Sequence, residues 1–82
     1  MKLKSKYSLV ELIENANSAQ IDAIWAILKY REIGIFRKIF CIAEVFGENA
    51  DDLLEDLPQD DNGRILDQKT RNLIHDALVE VS

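Results

Sequence analysis

The sequence predicts an all-α protein, a small bundle of four or five helices, on three observations. Apolar residues recur at helical spacing along most of the chain, strand-like alternation of any length is absent, and Gly, Pro, Asn and Asp cluster at the ends of the periodic stretches. Eighty-two residues leave room for one core. The expected organisation is therefore a basic, flexible N-terminal arm over residues 1–7 and a single helical domain over 8–82. At 48% hydrophobic residues the chain is too apolar to be disordered.

The first helix is placed by Ser8-Leu9-Val10-Glu11, which reads as a capping box: the Ser8 hydroxyl can accept from the Glu11 amide while Glu11 reaches back, and Tyr7 can staple onto Leu12. It should be short, because Asn15-Ala16-Asn17-Ser18 is a poor helix interior and Ser18 is a natural N-cap for the next element.

From Ala19 to Phe46 there is no proline, and Ile21, Ile24, Trp25, Leu28, Ile35, Phe36, Ile39, Phe40, Ile42, Ala43 and Phe46 fall on one sector roughly 160° wide. Gly34 interrupts the run without shifting its phase. Two arrangements follow. One is a break near Gly34 into two packed helices. The other is one long central helix of about 42 Å, which would overhang a domain with a radius of gyration of about 12 Å and call for dimeric packing to cover its stripe. Glu32 is the odd residue of the continuous arrangement, since it would point into the apolar sector; it marks either a break at Tyr30 to Gly34 or a pairing with a cation of another helix or subunit.

Gly47 is placed to end this stretch and Asn49 to cap the next helix, with Asp51 and Asp52 in its first turn where the helix dipole favours carboxylates. Leu53, Leu54 and Leu57 supply its core face before Pro58 stops it. Gln59-Asp60-Asp61-Asn62-Gly63 is a turn-rich loop, and Asp67 is the expected cap of a last helix with Leu66, Leu73, Ile74, Ala77, Leu78 and Val81 as apolar positions.

Little in the chain suggests catalysis. Its one histidine, His75, falls on the polar side of the last helix, and its one cysteine, Cys41, projects away from the main stripe and cannot form an internal disulfide. A nucleophile with an adjacent base is not found, so an enzyme is not expected, and neither cofactor nor metal is predicted. The Asp60–Gly63 run invites comparison with a calcium loop, but with Gly63 at the sixth position Pro58 and Lys69 occupy the first and twelfth, where carboxylates are required. No secretory h-region and no membrane-length apolar segment occurs, which predicts a cytoplasmic protein without membrane contact.

Charge supplies the functional expectations. Net charge is -5, yet residues 1–40 hold seven Lys/Arg against four Asp/Glu, and residues 41–82 hold three against eleven. Glu48, Asp51, Asp52, Glu55, Asp56, Asp60 and Asp61 form an acidic run with no Lys or Arg between them. This is the candidate face for a basic protein partner, since such a face steers association. The competing candidate is Lys29, Arg31, Arg37 and Lys38 with Tyr30 and the lysine arm, a set of side chains that can neutralise nucleic-acid phosphates. Ile39-Phe40-Cys41-Ile42-Ala43-Glu44-Val45-Phe46-Gly47 followed by Asp51-Asp52-Leu53-Leu54 resembles the last two helices of λ-repressor-like helix-turn-helix domains. The stretch before it lacks those domains' turn and recognition-helix pattern.

The function expected first is a small acidic protein-interaction module, homodimeric, acting as a regulatory adaptor or inhibitor by binding a partner protein. The alternative is a DNA-binding transcriptional regulator of helix-turn-helix type. A third class is a structural subunit that assembles through its apolar stripe.

Overall fold

The computed structural model describes residues 8–82. The basic arm and the proposed Tyr7 staple lie outside the described residues. Five helices follow one another: α1 (Leu9–Glu14), α2 (Ser18–Lys29), α3 (Ile35–Phe46), α4 (Ala50–Glu55) and α5 (Asp67–Val81). The radius of gyration is 12.2 Å.

Local chemistry sets most of the helix ends. Ser8 Oγ accepts from the Glu11 amide at 3.3 Å, and its hydroxyl donates to the Glu11 carboxylate. The cap of α2 is Asn17 and not Ser18: Asn17 Oδ1 accepts from the Gln20 amide at 2.9 Å while Gln20 Oε1 accepts from the Asn17 amide at 3.0 Å, a reciprocal box that Ser18, followed by Ile21 at the corresponding spacing, cannot make. Gly47 ends α3 at φ 68°, and the Glu48 amide closes on the Ala43 carbonyl at 2.9 Å. Asn49 caps α4 through the Asp51 amide at 2.8 Å. The α5 cap is Leu66 without a side-chain bond; Asp67 stands inside the first turn and pairs with Arg71 instead.

The long central helix is not formed. Tyr30 leaves the helical region at ψ 121°, and Gly34 becomes the N-cap of α3 at ψ 175°. Glu32 marks the break and is exposed in it. A turn here lets α3 fold back against α2, so that the two halves of the stripe face each other inside one chain. Ile24 of α2 and Ile35, Ile39, Ile42 and Ala43 of α3 are all buried. They join Leu9 and Ile13 of α1, Leu53 of α4, Leu57 just beyond it, and Ile74, Ala77 and Leu78 of α5 in one hydrophobic cluster. The last helix packs on α1, α2 and α3. Trp25 fastens α2 to the end of α5: its ring meets His75 edge-on at 5.5 Å, and its indole N–H donates to Ser82 Oγ at 3.4 Å.

Between α4 and α5 the chain makes a small hairpin, with Gln59 and Ile65 in an antiparallel bridge. Asp60 organises its tip, accepting on one carboxylate oxygen from the amides of Asn62 and Arg64, each at 2.9 Å. Gly63 completes the turn at φ 79°. No helix among the described residues is long and apolar enough to cross a membrane.

Candidate functional site

The broken helix changes the face that α3 presents. Taken alone, α3 buries Ile35, Lys38, Ile39 and Ile42, the spacing i, i+3, i+4, i+7 of a single stripe. Phe36 and Phe40, counted with the core in the sequence, then fall on its flank, where they remain 51% and 40% exposed. Their rings meet edge to face at 5.0 Å. Large aromatics left at the surface in contact with one another form a patch of the kind that interfaces use.

Phe36 forms one side of a groove where α3, α4 and the hairpin meet, a cavity of about 490 Å³. Ile35, Phe36, Leu54 and Ile65 supply its apolar surface, and Asp51 and Glu55 of α4 bring two carboxylates to it; Arg64 enters from the hairpin. The leucines of α4 and of the turn after it divide between two tasks. Leu53 and Leu57 are buried in the core, and Leu54, one step round the helix, turns to the groove.

Of the seven acidic residues singled out from sequence, Asp51 and Glu55 thus line the groove. Asp56 and Asp61 are exposed outside it, Glu48 and Asp52 are half-buried, and Asp60 is exposed with its carboxylate spent on the turn that shapes the hairpin. The acidic run is one continuous segment in sequence, but only the i, i+4 pair on α4 converges on an apolar cavity.

The basic residues are redistributed more strongly. Lys38 is 1% exposed: its ammonium donates to the Leu28 carbonyl in the last turn of α2 at 2.5 Å. Burial lowers its pKa from the ordinary lysine value, repulsion from Arg71 lowers it further, and Asp67 partly offsets both. It is a structural cation, not the surface contact expected from sequence. Its position was legible as the i+3 member of the Ile35–Ile39–Ile42 stripe, a signal masked when the two helices are read as one. Arg37 is exposed and stands apart, whereas Lys29, Arg31 and Lys38 line a second cavity together with Arg71 of α5. Arg71 is not placed beside Lys38 by the sequence, since it lies 33 positions further along the chain.

His75 is exposed, against the Trp25 edge and 3.7 Å from the Asp76 carboxylate. Cys41 is half-buried. Among the described residues no three of His, Cys, Asp and Glu come together as a metal-binding group. No protein-family model, curated protein or solved structure gives a significant match to the chain.

Proposed function

We propose that the protein is a small acidic interaction module of the cytoplasm, a regulatory adaptor or inhibitor, which takes a basic amphipathic segment of a partner protein into the groove between α3, α4 and the hairpin. One observation carries this reading: the exposed Phe36–Phe40 pair runs into a cavity whose apolar surface is bordered by Asp51 and Glu55. Apolar anchors of the segment would enter against Phe36, Leu54 and Ile65, and its Lys or Arg side chains would meet the α4 carboxylates. Helix-in-groove recognition of that kind combines buried anchors with a polar rim. A second copy of the chain is a weaker candidate, because the broken helix already buries Ile24, Ile35, Ile39 and Ile42 internally.

Capture on the tagged full chain from native lysate, with and without nuclease treatment, tests the proposal when run in parallel with Phe36→Ser and Asp51→Lys. The expected result is a defined protein retained by the native chain and lost, or strongly reduced, with both variants while their helical circular dichroism is unchanged. Retention should weaken with salt, since part of the attraction is between exposed charges. Equal retention by all three chains rules the groove out, and retention that vanishes with nuclease moves the function to nucleic-acid binding.

A further inference from the structure

The second cavity shares no lining residue with the groove, so what it does is independent of the function proposed above. It has a volume of about 540 Å³ and lies where the end of α2, the α2–α3 turn, α3 and α5 meet. Its lining is Leu28, Lys29, Tyr30, Arg31, Lys38 and Arg71. Four of those six side chains are cationic and none is acidic, on a chain whose net charge is -5. Chance clustering of surface lysines does not describe this, because the four come from three helices and the turn between two of them, and one of them is buried.

The carboxyl end of a helix ordinarily repels an anion. Here that end of α2 is covered: Lys38 donates to the Leu28 carbonyl from beneath. Arg71 is held at the side, its Nε donating to Asp67. Lys29 is drawn toward the Trp25 face, with Nζ 5.4 Å from the ring centroid, so it contributes at longer range. Arg31 is exposed at the mouth. Two guanidinium groups therefore line one polar cavity from separate elements, over a floor set by a buried ammonium. Planar guanidinium forks match the oxygens of a phosphoryl group, and the volume is of the size that holds a small ligand.

We propose that this cavity binds the phosphoryl group of a small phosphorylated molecule, with Arg31 and Arg71 as its direct ligands, Lys29 adding attraction and Lys38 fixing the floor. A phosphate of a nucleic-acid strand offers the same chemistry, and the experiment separates the two sources.

Inorganic pyrophosphate is titrated into the full chain at constant ionic strength and followed by backbone amide chemical shifts. Saturable shifts are expected at residues 28–31, 38 and 71. Arg31→Gln and Arg71→Gln should each weaken binding about tenfold or more, the loss of one charge-assisted hydrogen bond, while Arg37→Gln, outside the cavity, leaves it within about twofold. Arg31 stands in the exposed turn, so its replacement leaves the core untouched. Absence of saturable shifts, or equal weakening by Arg31→Gln and Arg37→Gln, overturns the proposal. So does binding of a DNA or RNA duplex that needs Arg31 when pyrophosphate itself fails to bind, since the phosphate would then belong to a nucleic-acid strand.

Discussion

Lys38 of α3 donates its ammonium proton to the carbonyl of Leu28, ten residues earlier and in the last turn of α2. The bond spans the break between the two helices and satisfies a carbonyl that the end of α2 leaves without an intrahelical partner. It joins the turn to the core at a cost, because the cation is taken out of water.

That cost has a pH signature. Lys38 has its pKa lowered by burial, with repulsion from Arg71 adding to the effect and Asp67 opposing it. Between the lowered value and the ordinary 10.5, the unfolded chain holds more protons at this site than the folded one. Stability therefore rises with pH across that window and is flat with respect to this group below it. Urea unfolding of the native chain and of Lys38→Met at a series of alkaline pH values checks the sign. The native chain should gain on the variant as pH approaches 10.5; a relative loss would show that attraction to Asp67 dominates. Lys38→Ala, which removes packed volume as well, should cost about 2–5 kcal/mol.

Thr70 presents the opposite case, a buried polar group without a partner. Its residue is fully buried on α5 and its hydroxyl makes no hydrogen bond among the described residues. Thr70→Val keeps the shape and removes the unsatisfied oxygen. It should stabilise the protein by about 1 kcal/mol, a rise in melting temperature of roughly 4–8 °C for a domain of this size. An unchanged or lowered melting temperature would mean that the hydroxyl is satisfied in solution.

The two glycines flanking α3 should respond to substitution with opposite signs. Gly47 sits at φ 68°, where a side chain is strained although space is open around it, so Gly47→Ala should cost about 1–2 kcal/mol. Gly34 has an ordinary φ of -78°, nothing within 4 Å of an added Cβ, and serves as an N-cap without a side-chain acceptor. Gly34→Ser adds that acceptor and narrows the unfolded ensemble, for an expected gain of about 0.5–1 kcal/mol. Thermal unfolding of the two variants side by side reads both signs.

Neighbouring positions on α3 should likewise separate. Ile39 is fully buried, and Ile39→Ala should cost about 2–5 kcal/mol. Phe36, half exposed and in contact with Phe40, should cost about 1 kcal/mol or less on replacement by Ser. A large loss for Phe36→Ser in denaturant unfolding would place this ring in the core and remove the exposed patch on which the groove depends.

The sequence by itself determined the helical class and most of the helix ends, because both depend on residues a turn apart. Ser8, Gly47 and Asn49 act on amides and carbonyls within a few positions. The Ser18 and Asp67 caps were displaced by one residue, since Asn17 with Gln20 makes a better box and Asp67 finds Arg71 one turn on. The acidic pair at the groove was legible as part of a longer run; which of its members meet an apolar cavity was not. Only the tertiary structure decided that the chain turns at Tyr30 to Gly34, for the stripe stays in phase through the break and either arrangement satisfies the periodicity. From that turn follow the burial of Lys38, the exposure of Phe36 and Phe40, and the placing of Arg31 and Arg71 on one cavity. Each depends on how one helix crosses another, and crossing geometry is fixed by packing among residues distant in the chain.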